Sequence, residues 1–461
     1  MSKVSCPRLI LAGLKGGSGK TTVTLGLIGA LSRQLKITPY KKGPDYIDPG
    51  WLSQAAKSPC YSLDPYMIGA EGVVRSFVSH FRGDMAIIEG NRGLYDGMDA
   101  EGSYSTAELA KLLKAPVILV VDCTKITRTA AALVLGAQSL DRAVEIRGVI
   151  LNQVSSLRHE GITKEAIERY CNIPVLGALP RLKDSELPER HMGLVPIYEY
   201  GGVEASIKTL SDRAAAHIDL EAVLRIAYSA KAIDLPDLTY RIERSEQSVK
   251  IGILRDEAFQ FYYPENLEEL QSAGAELVYI NALDETHLPD IDCLYIGGGF
   301  PETNALRLAD NRIFRESLRE AIDNGLPTYA ECGGLMFLGK SITVDGKDYE
   351  MAGIFPLSFK MGKRPQAHGY TEAEVTGENP FYPIGTLLRG HEFHYSAVVD
   401  LPGNTTFALT MRRGKGIAEN MDGIVYKNCM ALYTHIHALG TEGWAKGMIQ
   451  KAKEYKDGKR H

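Results

Sequence analysis

The stretch LILAGLKGGSGKTTV, residues 9–23, decides how the front half of this chain is read. Leu9–Leu11 close an apolar run that predicts a strand. Gly13, Gly16, Gly17 and Gly19 then remove side chains, so that backbone N–H groups can turn toward phosphate oxygens. Lys20 adds a point charge for the β- and γ-phosphates, and the Thr21 hydroxyl can hold Mg²⁺. From Thr22 to Leu31 the pattern is helical, which places the positive end of a helix beneath the anion. The spacing is the variant form K-G-G-x-G-K-T. Residues Lys15, Gly16, Gly17, Ser18, Gly19, Lys20, Thr21 and Thr22 are therefore expected to cradle a nucleoside triphosphate, with ATP as co-substrate.

Working outward, strands and helices alternate. Strands are expected at 8–13, 36–40, 85–89, 116–122, 147–151 and 174–178. Helices are expected at 105–114, 127–138, 163–170 and, as one piece, 204–224. Continuous apolar runs such as 116–122 suit strands buried on both faces of a parallel sheet. Asn152, at the end of one of them, reads equally as a base-recognition residue or a turn residue. Residues 229–248, with Pro236 and a run of Arg, Glu and Ser, read as a linker between domains at 1–228 and 249–461. A second α/β pattern restarts at Val249, and 345–409 turns β-rich. The expected fold class is α/β, a P-loop parallel sheet followed by a second α/β domain.

Two acidic clusters follow front-half strands: KKGPDYIDPGW (41–51) and EGNRGLYDG (89–97). The carboxyl ends of strands in an open parallel sheet face the ligand crevice. Asp45 and Glu89 are thus placed to join Thr21 around Mg²⁺, and Asp48 and Asp96 to orient a second substrate.

In the rear half, PTYAECGGLMFLG (327–339) reads as a strand, a cysteine at a tight turn, and a helix. A nucleophile at such an elbow needs small neighbours. A helix N-terminus beneath it favours the thiolate. His435, in YTHIH (433–437), supplies the base that activates a thiol. Gly297, Gly298 and Gly299 can present backbone N–H groups to an oxyanion. Cys332 is the reactive cysteine; Cys6, Cys60, Cys123, Cys171, Cys293 and Cys429 read as buried packing.

Composition excludes several classes. The chain has 461 residues, 44% hydrophobic and 24% charged, with a net charge of −5. That gives no electrostatic case for nucleic acid or an anionic membrane. Seven scattered cysteines without C-x-x-C argue for a reducing compartment, and no apolar stretch suits a membrane span. A cytoplasmic enzyme is expected.

Taken together, KKGPDYIDPGW, EGNRGLYDG, GGGFPE, AECGGLMFLG, GHEFHYS (390–396) and YTHIH resemble the cobyrinate a,c-diamide synthase family. The resemblance implies a dethiobiotin-synthetase-like front domain and a class I glutamine amidotransferase-like rear domain. It also implies ATP- and glutamine-dependent amidation of the a and c acetates of cobyrinic acid, or its cobalt or hydrogeno form, through acyl phosphates in cobalamin biosynthesis. Carried over, Lys20 and Thr21 match the ATP and Mg²⁺ positions, Lys41, Asp45, Asp48, Glu89 and Asp96 match the family's basic and acidic positions, and Cys332 and His435 match the thiol and its histidine. A relative amidates a nickel sirohydrochlorin in coenzyme F430 synthesis, and these motifs do not separate the two tetrapyrroles. Two departures stand out. Lys15 resembles the lysine that partitioning and nitrogenase-reductase ATPases extend across a dimer, which leaves open a homodimer and a switch-ATPase reading with an inactive rear domain. The class I triad usually ends H-x-E, whereas the third place here is His437.

Overall fold

The computed structural model describes residues 3–181, 189–190, 193–235 and 248–459. Most of the expected linker, 236–247, lies outside the described residues. The chain divides into two compact units, Met1–Thr239 and Tyr240–His461.

The first unit is built on seven strands: β1 (Arg8–Gly13), β2 (Ile37–Lys42), β3 (Tyr61–Leu63), β4 (Met85–Gly93), β5 (Val117–Asp122), β6 (Ile146–Val154) and β7 (Val175–Pro180). Their order is β3-β2-β4-β1-β5-β6-β7, and every neighbouring pair is parallel. Leu9, Ile10 and Leu11 of β1 are fully buried, as a strand at the middle of a sheet covered on both faces must be. Edge strand β3 has only three residues, too short for its sequence to carry a period. Helix α1 (Lys20–Leu31) follows the phosphate loop, and α2 (Ile47–Ala56) follows β2.

The helix expected at 204–224 is two helices, Val203–His217 and Leu220–Tyr228. Ile218 between them is extended and bridges to Gly177. Asp219 then accepts a hydrogen bond from Ala222 N at 2.9 Å and caps the second helix. A local cap and one bridge override a continuous helical pattern.

The second unit holds a ten-stranded mixed sheet. Its strands are β8 (Val249–Leu254), β9 (Ala275–Ile280), β10 (Cys293–Ile296), β11 (Thr328–Glu331), β12 (Ala367–Val375), β13 (Leu387–His394), β14 (Phe407–Arg413), β15 (Met421–Tyr426), β16 (Cys429–Leu432) and β17 (His435–Ile436). The order is β9-β8-β10-β11-β16-β15-β14-β12-β13-β17. The first five are parallel and the remainder antiparallel. Helices α3 (Pro264–Ser272) and α4 (Gly333–Leu338) position the rear site. One core packs α4 against Leu294, Ile296 and Ala330; the other gathers Tyr295, Tyr329 and Trp444. Among the described residues no helix is long and apolar enough to cross a membrane.

Candidate active sites

The phosphate loop leaves β1 at Gly13 and enters α1 at Lys20. Gly17 and Gly19 adopt φ of 70° and 80°, a left-handed backbone that glycine enters without a Cβ penalty. A Cβ on Gly19 would also lie 2.0 Å from Asn152 Nδ2. Asn152 donates from Nδ2 to Ser18 O at 3.0 Å, so it ties the loop to the end of β6. Ser18 Oγ donates to Lys15 O at 2.6 Å. Lys15 Nζ lies 3.1 Å from Asp122 Oδ2 of its own chain, and Thr22 is buried in α1.

Pairing of β2 with β4 sets Lys41 opposite Glu89. Lys41 Nζ lies 2.6 Å from both Asp48 Oδ2 and Glu89 Oε1, and 3.5 Å from Asp45 Oδ2. Thr21 Oγ1 donates to Glu89 Oε1 at 2.8 Å and lies 3.3 Å from Asp48 Oδ2. Asp48 therefore stands beside Thr21 where Asp45 was expected. Asp45 Oδ1 instead accepts from Ile47 N (3.0 Å) and Asp48 N (3.1 Å), shaping the start of α2. Asp96 Oδ2 accepts from Gly93 N at 2.8 Å, a turn contact, within electrostatic reach of Lys20.

Charge follows from this packing. Burial disfavours a charged Lys41, but Asp48, Glu89 and Asp45 outweigh it and hold the ammonium well above its ordinary range. Burial and the Asp48 charge push the Asp45 carboxyl up to about 7. Burial opposes ionisation of Asp48, and Lys41 overcomes it, so Asp48 stays below the usual carboxylate value. Glu89 is raised by burial against the pull of Lys41.

Among the described residues no group of three or more His, Cys, Asp or Glu side chains forms a metal cage. Magnesium rarely uses one. It takes one or two carboxylates, water and substrate phosphates. The residues fit that role: Glu89 Oε2 is buried without a hydrogen-bond partner, and the Thr21 hydroxyl adjoins it on the phosphate-loop side.

At the rear site, Cys332 lies between β11 and α4 with φ 48° and ψ −101°. This backbone is strained for a residue with a Cβ. Its N–H donates to Leu432 O at 2.7 Å. The helix behind it, α4, has only six residues, so the thiol depends on its side-chain partner. That partner is His435, hydrogen-bonded to the Cys332 side chain. His435 Nδ1 in turn meets Glu331 Oε2 at 3.3 Å. Burial works against a charged imidazole, yet Cys332 and Glu331 lift His435 to about 10. Glu331 was not among the expected site residues.

The glycine triplet divides its tasks. Gly297 N donates to the Tyr262 hydroxyl at 2.7 Å and is thereby taken from the expected oxyanion set. Gly298 lies against the His435 imidazole: a Cβ there would fall 2.4 Å from His435 Cε1. Gly299 N would lie 2.9 Å from a Cβ on Gly333, so this N–H remains beside the elbow.

His391 stacks on His435 at 4.9 Å and 19°. His394 stacks on Tyr433 at 3.7 Å and 7°. Both pack locally, and burial holds both imidazoles below their ordinary range, His394 at about 4.

Comparisons with known proteins match both halves. Residues 9–195 fit the CobQ/CobB/MinD/ParA nucleotide binding domain, and residues 250–443 the CobB/CobQ-like glutamine amidotransferase domain. A cobyrinate a,c-diamide synthase of Magnetococcus marinus is 45% identical over 446 residues, covering 95% of this chain and 96% of that protein. The chain belongs to the cobyrinate a,c-diamide synthase family. Relatives of the same name from Archaeoglobus fulgidus and Caldanaerobacter subterraneus are 41% and 40% identical, each over 98% of this chain and 98% and 99% of their own lengths. Like the family, the chain is an amidating ligase, with a nucleotide-binding half and a glutamine amidotransferase half.

Proposed function

We propose that this enzyme amidates the a and c acetate carboxylates of cobyrinic acid with ammonia from glutamine, at the expense of ATP, through acyl phosphates. Identity of 40–45% along nearly the full length to relatives named for that product supports the substrate. Two separate sets of reactive groups in one chain support the coupling.

A carboxylate resists nucleophiles because it is anionic and would have to expel oxide. Transfer of the γ-phosphoryl of ATP onto it supplies a leaving group. The phosphate loop and Lys20 hold the triphosphate, and Thr21, Glu89 and Asp48 would hold Mg²⁺. When bound, that ion neutralises charge on the phosphate oxygens. Lys41, pinned by Asp48 and Glu89, brings a fixed positive charge to the same place. It stabilises charge on the oxygen that bridges substrate and phosphoryl. Asp45 and Asp96 shape the turns that carry these groups.

In the second unit, Cys332 Sγ attacks the glutamine carboxamide carbon and forms a glutamyl thioester. His435 gives its proton to the departing ammonia, then takes one from the water that opens the thioester. The Gly299 N–H, beside the elbow, would serve the developing oxyanion. Ammonia must reach the acyl phosphate unprotonated, because ammonium is no nucleophile.

The test is a mass-spectrometric product assay with ATP, Mg²⁺ and glutamine, offering cobyrinic acid and nickel sirohydrochlorin in parallel. We expect two OH-to-NH₂ exchanges on cobyrinic acid. Cys332→Ala should lose this activity with glutamine and keep it with ammonium salts. Exchange on the nickel substrate alone would move the enzyme to that pathway. ATP hydrolysis with neither product would overturn the proposal.

A further inference from the structure

In the rear site the third place of the expected triad is not where the carboxylate lies. His437 sits past β17, and its Nδ1 accepts from Leu439 N at 3.2 Å, capping a short helical turn. Its Nε2 is 3.6 Å from Glu265 Oε1, with both side chains fully buried. This ring is engaged away from His435.

The residue that meets His435 Nδ1 is Glu331, one position before the nucleophile and fully buried. With Nδ1 so occupied, Nε2 is the nitrogen left for the thiol. Glu331 is itself held. Its Oε1 accepts from Ile436 N at 3.4 Å, and its Oε2 accepts from the Tyr295 hydroxyl at 3.4 Å. Asn266, at the start of α3, donates to Tyr295 Oη (3.5 Å) and Ile436 O (3.1 Å), and accepts from Ala438 N (2.7 Å). One asparagine thus braces both the carboxylate's partner and the strand bearing His435.

We propose that Glu331 orients His435 and offsets its charge, serving from the residue before the nucleophile the role an H-x-E carboxylate would serve from position 437. Glu331 touches neither substrate nor thiol, so it is a positioning residue. In each half-reaction the proton moves between His435 Nε2 and the ammonia or water, and Glu331 neither gives nor takes it. The groups facing His435 are the Cys332 thiol, the Glu331 carboxylate, the His391 ring with its Tyr263 partner, and His394. The last two histidines stay neutral and bring no counter-charge. This proposal rests on the reading of Cys332 as glutamine nucleophile.

The experiment follows glutaminase kcat/KM against pH, beside kcat and KM at the optimum, in full-length parent, Glu331→Gln, Glu331→Asp and His437→Asn. Loss of the carboxylate weakens the imidazolium, so His435 loses its proton at lower pH. Glu331→Gln should move the basic limb of glutaminase kcat/KM down by about 1 pH unit or more. Its glutaminase kcat should fall roughly 100-fold with little change in KM. Glu331→Asp should recover part of both, and His437→Asn should leave the limb in place. If Glu331→Gln folds poorly, the Glu331→Asp limb decides: a shift in the same direction supports the proposal and an unmoved limb overturns it. An equal shift in His437→Asn also overturns it. A parent without glutaminase activity overturns the nucleophile reading, and this proposal with it. An active parent with an unmoved limb in Glu331→Gln overturns the Glu331 assignment alone.

Discussion

Lys41 sits among three carboxylates, of which Glu89 is fully buried and Asp48 and Asp45 partly exposed. The sequence marks all four residues, because acids and lysines crowd the ends of two adjacent strands. It does not say which acid each base meets. A turn of α2 decides that, giving Asp45 to the backbone and Asp48 to Lys41 and Thr21. Glu331 left only a faint mark, an acid at the end of an apolar strand, where glutamate is seldom buried unpaired. His394 carries a residue-scale prediction. Its Nδ1 donates to Ser396 O at 2.8 Å, and burial holds its folded-state value at about 4, below the ordinary 6.5 or so of an unfolded histidine. The unfolded chain therefore binds the extra proton first. As pH falls from about 6.5 to 4 this group lowers stability, by about 1.4 kcal/mol per pH unit crossed. His394→Asn loses stacking on Tyr433 and should be less stable at pH 7. Its deficit should narrow by pH 4.5, as read by urea unfolding at both values. A constant deficit would mean that His394 is charged in the folded protein.

At the scale of elements, the elbow between β11 and α4 was legible from E-C-G-G, since only small residues tolerate so sharp a turn. Its Cys332 backbone stores strain of order 1–3 kcal/mol, maintained by the Leu432 contact and by packing of α4. The glycine triplet was legible as special, but its tasks were not. Gly298 serves to admit the His435 ring. Gly298→Ala would put a methyl 2.4 Å from His435 Cε1 and displace the imidazole. Glutamine-dependent amidation should fall at least about 100-fold while ammonia-dependent amidation persists. Equal loss of both would show that the substitution unfolds the unit rather than moving one ring.

The whole molecule joins two units, and the residues gathered at each candidate site come from one unit alone. Lys15 left open an enzyme in which one chain completes its partner's nucleotide site. In the structure Lys15 Nζ lies 3.1 Å from Asp122 Oδ2. A pair whose lysine is exposed adds little stability, so Lys15→Ala should melt near the parent. It should raise KM for ATP modestly without abolishing turnover, and parent turnover per chain should hold constant on dilution. A steep loss of specific activity on dilution together with an inactive Lys15→Ala would establish a shared nucleotide site.

The sequence by itself determined the class of fold, the phosphate loop, the cysteine–histidine pair and the family. Each rests on local spacing: glycines that free N–H groups, apolar runs that fill strands, and small residues around a nucleophile. The tertiary structure decided which groups face one another. Register between β2 and β4 joined Lys41 to Glu89. A cap at Asp219 broke a helix that periodicity would have continued. Placement of β17 past β13, with Asn266 bracing it, turned His437 to Glu265 and brought His435 to Glu331. Apart from that cap, these outcomes depend on distances between elements far apart in the chain. Such distances are set by packing and buried hydrogen bonds, and local spacing does not encode them.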